Sequence, residues 1–191
     1  MTPEPRCFFM SQPQKAVREH LHAELRRIGL VKQLGRRALF PPLNWHQSLS
    51  DRFEDDPELI ERLLSIGPRI SAHALRFKID RVESTRGPQD THWAFKPEQT
   101  PVDFDPLLLS VKAAISTVDR RPQGGHTPHI TVSYRAPEHL RAMVQIQPVE
   151  WIMDEVLFVR GGGTPYHYEV LGRWPLLPPR IQLKSEQAQL F

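Results

Sequence analysis

Two short segments of this chain share one chemical pattern. His46-Gln47-Ser48 and His129-Ile130-Thr131 each place a histidine two residues before a hydroxyl side chain, inside a stretch that reads as a β-strand. Side chains alternate between the faces of a strand, so His46 shares a face with Ser48, and His129 with Thr131. With the two strands side by side, two imidazoles and two hydroxyls converge on one small volume. Imidazole titrates at about 6.5, so one ring can take a proton while the other gives one near neutral pH. The hydroxyls can donate to the oxygens of an anion held between them. This set is suited to opening a phosphodiester without a metal, with a bell-shaped pH profile.

The elements that must position these groups can be read from patterning. Arg6-Cys7-Phe8-Phe9-Met10 reads as a first strand. Ser11, with Gln14 three residues on, fits a capping box that starts a helix carrying Val17, Leu21, Leu25 and Ile28, and Gly29 stands where it should stop. Pro41-Pro42 leads into the first motif strand. Asp56-Pro57, a cap followed by a first-turn proline, starts a second helix with Leu59, Leu63 and Ile66 on one face. Leu75, Phe77 and Ile79 alternate as a strand, and His92-Trp93-Ala94-Phe95 reads as its neighbour. Asp105-Pro106 repeats the cap-plus-proline start, for a third helix with Leu108, Val111, Ile115 and Val118. After the second motif strand come strands around Trp151 to Val159 and Tyr166 to Leu171, separated by Gly161-Gly162-Gly163. The order strand, helix, loop, motif strand thus occurs twice. It predicts an α+β fold of two pseudo-symmetric lobes, their antiparallel sheets facing a central groove and their helices outside. Residues 1–180 form one bilobal domain, and 181–191, after Pro178-Pro179, form a tail outside the core.

Over most of its length the chain resembles the two-histidine (2H) phosphoesterase superfamily, and within it the RNA 2′,3′-cyclic phosphodiesterase / 2′-5′ RNA ligase family. The likeness is carried by the Phe-rich first strand, Asn44-Trp45-His46-Gln47-Ser48-Leu49, Pro128-His129-Ile130-Thr131-Val132 and the closing run from Tyr166 to Leu176. The resemblance implies an enzyme that hydrolyses RNA 2′,3′-cyclic phosphate ends to 2′-phosphates, with 2′-5′ ligation as the reverse reaction. It implies His129 as base and His46 as acid, and no cofactor; the residues alone do not order the two rings. The motifs depart from the family in two places. The residue between His and Ser is usually apolar, whereas Gln47 is polar and on a buried face needs a hydrogen-bond partner. Family members often carry an arginine where Tyr134 stands. Arg135, one residue later, shares a face with His129 and Thr131 by alternation, and its candidate role in phosphate binding turns on a strand bulge.

Other residues extend the site. Arg36-Arg37 and Arg120-Arg121 stand at similar distances before the two motifs, where in pseudo-symmetric lobes they reach the groove mouths and can hold RNA phosphates. The ordinary reading of Arg120 and Arg121 is cations at a helix end. Phe9, Trp45 and Tyr166 are candidate shelves for a base, with the core as their alternative. His126 and His129 invite a metal, but no carboxylate or cysteine cluster stands at ligand spacing, so none is expected. His92 can reach the groove with nothing requiring it, and His20, His22, His73 and His139 read as solvated.

Composition bounds the rest. The 191 residues are 39% hydrophobic, enough for a core, with no apolar run of membrane-spanning length. The first five residues lack a basic-then-apolar leader pattern, and the single cysteine, Cys7, excludes an internal disulfide and a zinc–thiolate cluster. Both point to a cytoplasmic protein, expected to be a monomer. A net charge of +3 permits an RNA partner without demanding one. The rival activity is the same fold acting on a cyclic nucleotide or a 2′-5′-linked oligonucleotide. From another class, the rival is a noncatalytic module binding RNA ends, which has no need of two poised imidazoles. The chain ends Gln187-Ala188-Gln189-Leu190-Phe191, resembling the Gln-x-x-Leu-Phe peptides that dock bacterial proteins on the replication sliding clamp. Gln187, Leu190 and Phe191 are therefore candidate clamp contacts.

Overall fold

The computed structural model describes residues 4–86 and 90–180. Two antiparallel sheets carry the motifs. The first has the order β2 (Gln47–Ser48), β1 (Arg6–Ser11), β8 (Glu155–Gly162), β9 (His167–Pro175), with β3 (Phe53–Glu54) also paired to β1. The second has the order β6 (Ile130–Ala136), β5 (Thr91–Pro97), β4 (Leu75–Arg86), β7 (Val144–Met153). The α+β architecture with two sheets is as expected, but each lobe is not one half of the sequence, because β8 and β9 return to the first sheet.

The helices cross over as well. α1 (Lys15–Arg27) and α2 (Leu30–Ala38) pack on β7 and β6 of the second sheet. The buried carboxylate of Glu24 fixes α1 there by accepting from the backbone N–H of Gln147 at 2.8 Å, while Arg27 holds it charged and below its usual pKa. Amphipathic spacing says which face a helix buries, not which sheet will cover it.

Local signals were followed in part. Ser11 does not start α1: it is the last residue of β1 and pairs with Gln47, so the ladder claims it and Gln14 becomes the N-cap without a side-chain bond. Gly29, at φ 78°, ends that helix as expected and at once begins α2, which kinks at Gly35. α3 (Pro57–Ile66) is capped as the sequence predicts, Asp56 accepting from Leu59 N–H at 2.8 Å. α4 (Phe104–Ser116) begins before Asp105-Pro106, with Asp103 at its N-cap. Pro106 still fits, because its missing N–H is one of those a first turn leaves unpaired.

One core runs between the sheets. Strand β1 sends Cys7 and Phe9 into it, and turns Phe8 and Met10 to a second cluster with Leu157, Val159 and Tyr168. Trp45 joins the lobes, its indole N–H donating to the Phe40 carbonyl at 3.0 Å and its ring edge-on to Phe95 of β5. Among the described residues, no helix is long and apolar enough to cross a membrane.

Candidate active site

His46 stands immediately before β2 and His129 immediately before β6. Gln47 fastens one motif to the other. Its Oε1 accepts from the backbone N–H of His129 at 2.6 Å, and its Nε2 donates to the carbonyls of Thr127 at 3.2 Å and Ser48 at 2.8 Å. The polar residue that departs from the family pattern thus has the partners its burial demands.

Both rings are oriented by the same device. His46 Nδ1 lies 2.7 Å from the Asn44 carbonyl, and His129 Nδ1 lies 2.8 Å from the Thr127 carbonyl. A carbonyl only accepts, so in each neutral ring the proton sits on Nδ1 and Nε2 is the basic atom. No described residue bonds to either Nε2. Burial pushes His46 down to about 4, opposed by the Asn44 carbonyl and reinforced by the charges of His129 and Arg52. Burial also lowers His129, against the Thr127 carbonyl and with the charge of Lys96. Burial thus disfavours the charged form of both rings. These charges give no support to the order in which His129 is the base.

A third imidazole belongs to the site. His92 Nε2 lies 3.0 Å from the hydroxyl of Thr131, and burial, with the charges of His129 and Lys96, holds His92 at about 4. Neutral His92 with its proton on Nε2 donates to Thr131 and leaves that hydroxyl free to donate to an anion. Ala94 pairs with Thr131, and His92 lies two residues along β5 on the same face, so strand pairing was the signal that would have found it.

Strand β6 does bulge. Ala94 pairs with Thr131 and Trp93 with Ser133, so Val132 is an extra residue, and Thr91 pairs with Ala136, so Tyr134 and Arg135 together oppose the single residue His92. The extra residue Val132 turns Tyr134 to the face of His92, on which it stacks at 5.5 Å, edge-on to Phe40 at 5.2 Å and still 43% exposed. Arg135 points out, its side chain 83% exposed and 3.8 Å from Asp90, and the structure does not bring it to the histidines.

No protein-family model and no curated protein matches the sequence. Solved structures do. Apo E. coli LigT matches at 20% identity and a TM-score of 0.72, covering 92% of this chain and 99% of LigT. A structure described as a phosphoesterase matches at 18% identity and a TM-score of 0.72, over 92% of this chain and 99% of its own. A Thermus thermophilus protein matches at 19% identity and a TM-score of 0.69, over 92% of this chain and 100% of its own. The chain has the LigT fold. That frame accounts for the two sheets and for the strands that bear the motifs, while the chemistry must rest on the side chains themselves.

On the LigT frame the other candidates fall as follows. Phe9 is fully buried against Phe158 and Trp174, and Trp45 is fully buried between the lobes, so both are core residues rather than shelves. Strand alternation instead sets Phe8 5.3 Å from the His46 ring. Tyr166 is retained, edge-on to Tyr168, which lies 5.1 Å from His46. Arg37 and Arg120 are exposed, and Arg121 is bound to Asp119 at 2.7 Å and lies over Phe53, as a helix-end cation would. The side chain of Arg36 lies outside what the structure describes. The cations that bear on the histidines are Arg52 and Lys96, neither of which the motifs single out. His126 lies 3.4 Å from Asp51, and among the described residues no group of three His, Cys, Asp or Glu is placed to hold a metal. His22, against Trp45, and His73, on the Pro178 carbonyl, are half-buried rather than solvated, and the tail with Gln187, Leu190 and Phe191 lies outside the described residues.

Four of these imidazoles, His46, His92, His126 and His129, are held below their ordinary pKa by burial first of all. The unfolded chain therefore binds protons more readily, and stability falls as pH drops from about 6.5 through the folded value of about 4 for His46 and His92. The melting temperature is expected to decline over that range. Inorganic phosphate should restore part of it, by favouring the protonated rings. A flat melting profile from pH 6.5 to 4 would contradict this account of the site.

Proposed function

We propose that this chain is a metal-independent phosphodiesterase of the 2H superfamily, hydrolysing RNA ends that carry a 2′,3′-cyclic phosphate to 2′-phosphates. The observation that carries the proposal is the matched pair of imidazoles, each with Nδ1 on the carbonyl two residues before it and Nε2 without a described protein partner. Ser48 and Thr131 donate to the non-bridging oxygens of the phosphate. One neutral ring removes a proton from water, and the oxygen attacks phosphorus as the bond to the ribose 3′-oxygen breaks. The other ring, protonated once the substrate's negative charge is bound, delivers its proton to that oxygen. Base, acid and anion donors are thus all supplied by side chains. With a 5′-hydroxyl in place of water, the same displacement joins it to the 2′,3′-cyclic phosphate as a 2′-5′ bond, the two rings keeping their roles, and they exchange roles only when that bond is cleaved back to the cyclic phosphate.

The LigT structures solved with 3′-AMP, with ATP and with phosphate support a nucleotide or RNA end as the partner. In this reading the chain works in the cytoplasm as a monomer. The deciding experiment incubates the protein in EDTA with an RNA ending in a 2′,3′-cyclic phosphate and identifies the product. A 2′-phosphate formed at the same rate with and without chelator is expected. A 3′-phosphate product, or activity lost in EDTA and restored by one metal, would overturn the proposal. The small-nucleotide alternative predicts that adenosine 2′,3′-cyclic phosphate is cleaved at least as well as the RNA.

A further inference from the structure

Beside His46 lies a cleft of about 200 Å³, bordered by Phe40, Tyr134, Tyr166, Tyr168 and Arg52, that the acid–base chemistry leaves unused. Its walls end on the two motifs. Tyr166 is edge-on to Tyr168 and Tyr168 to His46, while Phe40 is edge-on to Tyr134 and Tyr134 stacks on His92. One wall thus reaches the first motif directly at His46, and the other reaches the second through His92, which is bonded to the Thr131 hydroxyl.

Arg52 is the uncommitted charge of this region. Arg6, which also reaches the cleft, is paired with Glu4 at 3.1 Å and Glu54 at 3.8 Å. Arg52 forms no ion pair or hydrogen bond with any described residue. Its guanidinium carbon lies 5.9 Å from the centre of the Phe8 ring, whose next neighbour is His46 at 5.3 Å. Arg52 stands six residues after His46, the offset that separates Arg135 from His129. The two motifs use that offset oppositely: in β6 Arg135 turns to Asp90 and Tyr134 faces His92, while the first motif keeps its arginine at the cleft.

We infer that this cleft receives the terminal nucleoside of the substrate, its base between Tyr134 and Tyr168, and that Arg52 binds the phosphate anion. The inference rests on the proposed phosphodiesterase reading for the position of the reacting phosphate. Three arguments support it. A cleft of about 200 Å³ is smaller than the roughly 300–1,000 Å³ of sites for larger ligands, and so suits one base rather than two. Tyrosine faces stack on any base and give little choice among sequences. A planar guanidinium matches phosphate oxygens in pairs, which an ammonium does not.

Calorimetric titration with 2′-AMP and with inorganic phosphate tests both halves. Arg52→Met should weaken both probes by roughly tenfold or more, as loss of a charged hydrogen bond does. Tyr134→Ala should weaken 2′-AMP by roughly tenfold and leave phosphate unchanged, and Tyr134→Phe should behave as the parent. Arg135→Met should change neither. These side chains are exposed or half-exposed, so the variants should fold. Phosphate binding that survives Arg52→Met, or 2′-AMP binding that survives Tyr134→Ala, would overturn the assignment, as would a parent protein that binds neither probe at millimolar concentration. The binding pattern and the reaction fail separately. Binding as expected without hydrolysis of cyclic-phosphate RNA would reject the activity and keep the cleft. Hydrolysis with Arg52→Met at parental rate and KM would reject the cleft and keep the activity.

Discussion

Alanine at either His46 or His129 is expected to slow hydrolysis of cyclic-phosphate RNA by roughly two orders of magnitude or more, the usual size of an acid–base contribution. The loss should fall on kcat more than on KM, because the phosphate stays bound by Ser48, Thr131 and the cleft. Replacing both should cost far less than the product of the single losses, since neither ring can do its part without the other. His46 is only 5% exposed, between Phe8 and Tyr168, so His46→Ala also opens a cavity. His46→Gln fills more of that space without a titrating group. Equal loss of kcat in the two variants, at different melting temperatures, separates chemistry from packing. Turnover near the parental rate in any single variant would remove the mechanism.

What could be read from the sequence was whatever a short pattern determines locally. The histidine and hydroxyl of each motif share a face because strand periodicity is two, and Asp56 caps α3 because an acceptor followed by proline has few other uses at that spacing. Local pattern fails where a distant partner decides. Ser11 and Gln14 satisfy the capping pattern, yet Ser11 is held by Gln47 across the sheet. Phe8 and Phe9 are adjacent, so one faces the core and the other the histidine, and only the register of Met10 opposite Ser48 says which. The bulge in β6 leaves no local mark beyond a serine hydroxyl that takes the N–H two residues on, Ser133 to Arg135. Alternation is already broken at Val132, since Thr131 and Ser133 oppose the adjacent residues Ala94 and Trp93, and counting past it exchanges Tyr134 and Arg135, which is why the expected phosphate ligand points to solvent. Arg52 escapes the pattern for a related reason, since it stands four residues beyond the hydroxyl that ends the first motif.

The polar residue of the first motif is expected to be the chief support of the second. Gln47→Leu preserves much of the volume and removes both ends of the amide. The His129 N–H loses its acceptor at 2.6 Å, and the Thr127 carbonyl, which also holds His129 Nδ1, loses one of its two donors. A buried group left without a partner costs about 1–3 kcal/mol, so urea denaturation should show a loss of that size with an unchanged m-value. The catalytic loss should be roughly tenfold in kcat, with KM less affected, because the ring that moves is a proton carrier rather than an anchor. Gln47→Glu distinguishes positioning from mere stability. Its carboxylate can still accept from His129 N–H but cannot donate to Thr127, and its negative charge favours the protonated imidazolium. The pH profile of kcat/KM should therefore shift upward in the Glu variant and not in the Leu variant. The family this chain resembles usually has an apolar residue here, so the outcome also tests whether this protein depends on the added amide. A Leu variant with parental stability and parental kcat would show that it does not.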